Sequence, residues 1–538
     1  MVGDIGEKIK ELGLLLEKDI FDSVLNFPDS ASATTFLESV ERASNQRIIT
    51  KALLEKERAV VQRFVKTLSQ EKQNIVEKVF VKLGIQLEVI REQSVETPKS
   101  GEVSEGKDGK SSYQIFYAPT GTEKKLTVSD FVGNFRARYQ QLQRLLMARP
   151  ELQANLVSIG KISADRQNLS IIGLLGEKRV TKNKNLILKF EDLTGSISVL
   201  VKHDDEELFE KASELQLDDV VGIKCSGSRE FLFAREIIFP DSFNLSPGRF
   251  DEDVHIAILS DTHCGGKLHF GEELGKFFDW LNSEDPIAKK IEFLFFVGDN
   301  VDGVGIFPSQ EDTLKLKTMK EQYELLASYL RRVPERITMF LCPGQHDAVR
   351  VAEPQPPVGK YYAAPLHEIP NLVLVTNPTL VKLTRGDKVF KVLMYHGASI
   401  HTFINEVKEL RELKAHTCPA KAVKHMLKRR HLAPTHSSVV YIPNVEADPL
   451  VISEVPDVLC TGEVHRLDID NYHGTIIITG SCWQAQTKFE ESIGNIPIPC
   501  KVPIINLKTR EVSVLDFEKK AEEVPEGIVK TSEVKNEA

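Results

Sequence analysis

No stretch of 18 apolar residues occurs in this 538-residue chain, so a membrane-spanning helix is not expected. Residues 1–20 mix acids and bases and hold no apolar signal core, which argues against a secretory leader. The seven cysteines stand at 225, 264, 342, 418, 460, 482 and 500. Odd in number and without a C-x-x-C pair, they point to a reducing, cytoplasmic location and away from a structural zinc site. Positive charge is also short, with a formal net charge of −9. A protein that grips duplex DNA unaided is more often basic, so a nucleic-acid substrate would require local positive charge or a partner's help. What is present, 41% hydrophobic and 27% charged residues, suits a soluble globular protein. The length calls for two to four domains.

Residues 1–95 are expected to form a helical domain. Ile9, Leu12, Leu14, Leu15, Leu16, Ile20, Phe21 and Leu25 are spaced closer to 3.6 than to 2. Further helical pattern covers Thr34–Arg42, Ile48–Arg63 and Gln73–Leu83. Residues 96–112 (ETPKSGEVSEGKDGKSS) carry no aromatic and a single Val, so 96–125 reads as a flexible linker. Ser129 is expected to cap a connecting helix through Arg149 (126–150), with Arg136, Arg138 and Arg144 on a solvated face.

From 151 to 245 the period changes. Short β-rich runs occur at Leu169–Leu175, Leu186–Phe190, Ser196–Val201, Val220–Lys224 and Glu230–Ala234, with a helix at Glu206–Ser213. Five strands with a helix after the third is the order of an OB-fold barrel. Its strands hold only Phe190, Phe231 and Phe233, and its basic residues gather in one loop (Lys178, Arg179, Lys182, Lys184). That favours protein docking over direct nucleic-acid contact. Residues 250–517 alternate strands and helices as an α/β domain, with strands expected at Val254–Leu259, Ile291–Val297, Ile337–Leu341, Val389–Tyr395, Val458–Cys460, Thr475–Thr479 and Val502–Leu507. The charged tail, 518–538, is expected to be disordered.

Five short motifs fall at or just beyond strand ends in this last domain. They are SDTH (Asp261, His263), GDNVDG (Asp299), PGQHD (Gln345, His346, Asp347), YHG (His396) and GEVH (Glu463, His465). Alone, each is weak, since Gly-Asp after a strand usually marks a turn and a lone His is usually structural. Five nitrogen- and oxygen-bearing motifs in one topological position are hard to explain by turns. Asp261 and His263 at i and i+2 can point the same way from a strand end and serve a single divalent ion. Paired divalent ions catalyse phosphodiester displacement, and mixed His, Asp and amide ligands suit manganese, then iron or zinc, and magnesium less well.

The motif order, D-x-H, G-D, G-N-H-D/E, H and G-H-x-H, resembles the calcineurin-like metallophosphoesterase superfamily. GDNVDGVGIFPSQ (298–310), HDAVRVAEPQP (346–356) and LKRRHLAPTH (427–436) narrow the resemblance to the small subunits of archaeal family-D DNA polymerase. The order of parts fits as well, over about 130–517 closely and the N-terminal helices loosely. The resemblance implies a multidomain α+β protein with a helical N-terminal domain, an OB barrel and a calcineurin-like α/β phosphoesterase sandwich.

By the same resemblance Asp261, His263, Asp299 and His465 would hold a first metal. Asp299 would bridge to a second, completed by Gln345, His396 and Glu463. His346 would face the scissile phosphate, oriented by Asp347. The implied activity is a 3′–5′ exodeoxyribonuclease using two divalent ions, in a chain that also scaffolds a large polymerase subunit on primer–template DNA. A sliding clamp is a further candidate partner. Gln345 replaces the usual Asn and Glu463 the usual His, both at the second metal, so altered metal preference or rate is expected. The competing expectation is a non-catalytic accessory scaffold with a degenerate second site. The basic run Lys421–Arg430 reads either as a solvated helix face or as a surface for phosphate or an acidic partner.

Overall fold

The computed structural model describes residues 111–120 and 125–518 throughout, residues 9–79 in part, and the stretches 103–105 and 529–530. The chain divides into two units, Met1–Glu96 and Thr97–Ala538.

In the first unit, helices Lys18–Val24 and Ser30–Ser44 bury Ile20, Val24, Phe36, Leu37 and Val40 against Phe27, Ile49 and Phe64. Leu15–Leu16 and Ile48–Ile49 pair as two short parallel strands. The run of leucines at 14–16 therefore does not belong to a helix, nor does Ile48 open one. Most of Gln73–Leu83 lies outside the described residues.

The second unit contains two facing sheets and a barrel. One sheet runs Leu372–Leu374, Thr338–Cys342, Ile291–Val297, His255–Leu259, Lys501–Asn506, Val512–Asp516 and Val529–Lys530. Its first four strands are parallel. The other runs Asp468–Tyr472, Thr475–Thr479, Val458–Thr461, Lys388–Met394, Thr379–Arg385, Ser112–Tyr117 and Val103–Glu105. Between them Ile256, Ile258, Phe293, Phe295 and Phe340 meet Val381, Val392, Met394, Val458 and Ile478. Each such side chain contributes about 1.5–3 kcal/mol on burial. Helices Gly271–Leu281 and Met319–Leu330 cover the outer face of the first sheet, and Ile400–Glu406 and Ala420–Arg429 that of the second. The central strands, buried on both faces, read as continuous apolar runs, as in Ile291–Val297 (IEFLFFV). Their carboxyl ends open to one edge, where the loops bearing Asp261 and Asp299 begin.

Two segments expected to be unstructured join these sheets. Ser112–Tyr117, within the expected linker 96–125, pairs antiparallel with Thr379–Arg385 and buries Ile115 and Phe116. Its SYQIFY sequence supplies the aromatic and β-branched side chains that the preceding residues lack. Within the expected tail, Val529–Lys530 pairs with Ser513–Val514.

Residues 167–238 close a barrel of five strands. Their order is Gln167–Val180, Leu186–Asp192, Gly195–Val201, Phe231–Ile238 and Val220–Ser228, with the helix Glu206–Glu214 following the third strand in sequence. Lys178, expected in a free basic loop, instead donates to the carbonyls of Ser213 (2.6 Å) and Leu215 (2.9 Å).

The helix Val128–Met147 is capped by Thr127 with Asp130, not by Ser129, and Pro150 opens a short second helix rather than only ending the first. Arg136 and Arg144 are exposed as expected, but Arg138 is buried. Its Nε donates to Asp448 Oδ2 at 2.7 Å, and a guanidinium N–H donates to the Pro434 carbonyl.

The basic helix Ala420–Arg429 is neither a solvated face nor a free cationic surface. Lys428 pairs with Glu214 (2.6 Å), Arg429 with Asp219 (3.1 Å), and Lys424 with Asp470 (2.6 Å). Glu214 and Asp219 belong to the barrel segment, so these charges fasten the barrel to the sheets. Burial would raise the Glu214 carboxyl, but His425, Arg429 and Lys428 outweigh it and hold it well below the carboxylate range.

Candidate metal centre

The loops after the parallel strands carry the site. After Leu259 come Asp261 and His263; after Val297 comes Asp299; after Cys342 come Gln345 and His346. His396 follows Met394, and Glu463 and His465 follow Thr461. Asp261, His263, Asp299, Glu463 and His465 all take left-handed φ angles, from 43° to 72°. For non-glycine residues this costs about 1–2 kcal/mol each, and clustering at one place marks a backbone shaped for side-chain position rather than for stability. Glycine is required beside them: a side chain at Gly344 would collide with Asp299 Oδ1 and His396 Nε2.

The motifs converge. His263 Nε2 lies 3.1 Å from His465 Nε2, and His465 Nε2 lies 3.4 Å from Asp261 Oδ1. His396 Nε2 lies 3.2 Å from both Asp299 Oδ2 and Glu463 Oε2. Asp261, His263 and His465 form one group able to hold an ion, and Asp261, Asp299 and His396 another. Two of the imidazoles are oriented from behind by hydrogen bonds. His396 Nδ1–H donates to the Val297 carbonyl (2.9 Å), which leaves Nε2 to face the other ligand-type atoms of the site. His465 Nδ1–H donates to Glu490 Oε1 (2.8 Å), with the same result. A carboxylate or carbonyl behind a histidine in this way fixes the tautomer needed for metal ligation.

The charges balance only as a set. Burial would raise the Asp299 carboxyl, but His396, His346 and His263 outweigh it and hold it well below the usual range. Burial would lower His396, but Asp299 and Glu463 lift it well above the ordinary imidazole value. His465 is likewise lifted against burial, Asp261 and Glu490 contributing.

The donor set fits divalent metal ions. Asp261 Oδ2, Gln345 Oε1 and His396 Nε2 are buried without hydrogen-bond partners, whereas His263 Nδ1 lies 3.3 Å from Asp302 Oδ1 and turns Nε2 to the site. Such orphans cost about 1–3 kcal/mol each, and three in one site call for a group that satisfies them together.

His346 sits at the rim, partly exposed. Its Nδ1 contacts the Asp302 carbonyl at 2.6 Å and its Nε2 lies 3.9 Å from Asp299 Oδ2. Burial would lower it, but Asp299 dominates and raises it. The expected partner Asp347 does not touch the His346 ring. It accepts instead from Tyr323 Oη–H (3.0 Å), Asn300 Nδ2–H (3.0 Å) and Gly344 N–H (2.9 Å). Asp347 therefore locks two metal-site loops together, and the Asp302 carbonyl orients His346. Two contributors were missed from sequence. Asp302 stands in the GDNVDG motif, where its spacing of three from Asp299 was the available signal. Glu490 closes a capping box with Thr487, and only that local role is legible in the sequence.

The chain is similar to several known proteins. Residues 256–467 match the family model for the B subunits of DNA polymerases alpha and epsilon. The DNA polymerase II small subunit of Methanothermobacter thermautotrophicus is 35% identical over 385 residues, covering 70% of this chain and 78% of that protein. That of Pyrococcus furiosus is 36% identical over 409 residues, covering 74% of this chain and 65% of that protein. The chain thus spans just under two-thirds of the length of the Pyrococcus relative. Among solved structures, an archaeal phosphodiesterase is similar at 13% identity over 49% of this chain and 99% of that one, with a TM-score of 0.24. On the identity and coverage shared with the Methanothermobacter protein, the chain belongs to the small-subunit family of archaeal family-D DNA polymerase.

Proposed function

We propose that this chain is the metal-dependent 3′–5′ exodeoxyribonuclease of a two-subunit DNA polymerase, and that it also scaffolds the large polymerase subunit. The observation that carries the reading is the convergence of three orphaned buried donors, on Asp261, Gln345 and His396, with His346 at the open rim. Asp261, His263, Asp299 and His465 would hold one ion, and Asp299, Gln345, His396 and Glu463 a second. Bound divalent ions would supply Lewis acidity and neutralise charge on the phosphodiester, with manganese the metal best suited to these donors and magnesium possible. The chain's own part is positional. His346 keeps Nδ1–H on the Asp302 carbonyl and turns Nε2 towards Asp299, where a proton held there can pass to the departing 3′ oxygen. Asp347 holds Asn300 and Gly344 in register behind it. The barrel reads as an OB fold that docks protein rather than nucleic acid, since its strands carry only Phe190, Phe231 and Phe233 as aromatics and the first of these is fully buried.

Release of nucleotides from a 3′-mismatched primer, in manganese, by this chain alone and with its large subunit, tests the reading. Activity that vanishes with Asp299→Ala is expected. No release in either form, with the subunits still associating, would favour the scaffold reading that Gln345 and Glu463 raise.

A further inference from the structure

Beside the metal centre, residues 303–309 (GVGIFPS) form a loop that presents apolar side chains to solvent. Val304, Ile306 and Phe307 are 44%, 41% and 46% exposed. The loop is anchored by two buried glutamines. Gln310 accepts from the Ile306 N–H (2.9 Å) and donates to the Asp302 carbonyl (2.8 Å). Gln322 accepts from the Gly303 N–H (2.9 Å) and donates back to the Gly303 carbonyl (3.1 Å). The Asp302 carbonyl that receives Gln310 also holds His346 Nδ1. A side chain at Gly303 would meet both the His346 carbonyl and Ile306 Cγ1 at 2.7 Å, so the apolar surface begins within a side chain's width of His346.

Lysines border this surface. The Lys267 N–H donates to the Thr313 carbonyl (2.9 Å) and the Lys315 N–H to the Gly265 carbonyl (2.8 Å), which brings these two exposed residues together on the strip that follows His263. Lys320, two residues before Gln322, places its ammonium 5.0 Å from the ring centre of Tyr361, itself 75% exposed. Glu311 and Asp312 lie on the same strip, and their carbonyls accept from Lys317 and Lys267. Apolar and aromatic faces edged by ammonium groups suit an unpaired nucleic-acid strand, whose bases stack while its phosphates meet the cations. A paired terminus keeps its bases stacked and hydrogen-bonded, and offers only the outer face of its last pair.

Resting on the nuclease reading above, we propose that the Gly303–Ser309 loop, with Phe307 at its tip, receives unpaired bases at a 3′ end and sets the preference for mispaired over paired termini. The test uses the full chain in EDTA with a labelled oligothymidylate of about twelve nucleotides, read by fluorescence anisotropy. Phe307→Ala is expected to weaken binding by about five- to a hundred-fold, and Phe307→Trp to retain it. Melting temperatures of both variants, expected to match the wild type because Phe307 is half exposed, exclude misfolding. In manganese, Phe307→Ala should raise KM for single strands and bring the ratio of mispaired to paired release towards one. Equal strand affinity in Phe307→Ala and wild type overturns the proposal, whether or not DNA is cleaved. Unchanged strand binding with lost association to the large subunit overturns it in favour of protein docking. Strand binding that depends on Phe307 in a chain that cleaves nothing upholds the loop's role and overturns the nuclease reading alone.

Discussion

The cluster around Asp448 and the cluster around Asp299 both bury a carboxylate against histidine, yet they leave their polar atoms in opposite states. Asp448 accepts from Arg138 Nε (2.7 Å), Asn134 Nδ2 (3.1 Å) and the Leu450 N–H (3.0 Å), and meets His431 Nε2 at 3.1 Å. His431 Nδ1 in turn accepts from the Ala433 N–H (3.0 Å), so the ring is neutral with one nitrogen donating and the other accepting. Among the described residues, no orphaned buried side-chain atom falls on Asn134, Arg138, His431 or Asp448. Around Asp299, by contrast, ligand-type atoms face one another unsatisfied. A satisfied cluster holds the helix Val128–Met147 against the sheets. An unsatisfied one is strained in isolation and complete only with something bound.

The strongest test of this contrast pairs two substitutions. Asp299→Ala is expected to reduce nucleotide release about a thousand-fold and to lower the melting temperature of the metal-free chain less than Arg138→Ala does, although His396, His346 and His263 lose a counter-charge. Arg138→Ala is expected to cost about 3–5 kcal/mol of stability by leaving Asp448 buried and unpaired, with metal uptake per folded chain unchanged. Denaturant unfolding and metal analysis read both, and a reversal of the two outcomes would break the comparison. Next in size, His346→Gln should slow release by about 10²–10⁴-fold with metal content intact, which separates proton transfer from metal holding. Glu490→Gln keeps the capping box with Thr487 but removes the carboxylate behind His465. Metal affinity is then expected to fall by about 10–100-fold, read by competition with a chelating dye.

The smallest effect is one of pH. Burial beside Arg138 holds His431 down to about 4, whereas an unfolded histidine titrates near 6.5. Below about pH 6.5 the unfolded chain therefore binds the extra proton, and stability is lost as pH falls towards 4. Between pH 7 and pH 5 this amounts to about 2 kcal/mol. The pH dependence of unfolding should shrink by that amount in His431→Gln.

Much of the α/β core was legible because its parallel strands are buried on both faces, as in Ile291–Val297. The residues of the candidate site were legible as a group because each follows a buried strand. The antiparallel strand Thr379–Arg385 (TLVKLTR), half-buried and carrying Lys382 and Arg385, gave a weaker signal and was missed. Arg138 was misjudged because its counter-charge, Asp448, lies 310 residues away. Nothing local distinguishes an arginine that will be buried from Arg136 or Arg144. The same holds for Lys421–Arg430, whose partners Glu214 and Asp219 lie in the barrel. Asp347 was assigned to its sequence neighbour His346, but its side chain turns inward to Tyr323 and Asn300. Adjacency in sequence did not predict contact there.

The measurement that tests the central claim most directly is calorimetric titration of manganese into metal-depleted chain. Two ions bound per chain, falling to one or none in Asp299→Ala and unchanged in Arg138→Ala, is the predicted result. A wild-type chain that takes up no ion would contradict it, and the orphaned atoms around Asp299 would then have to be satisfied by something other than metal.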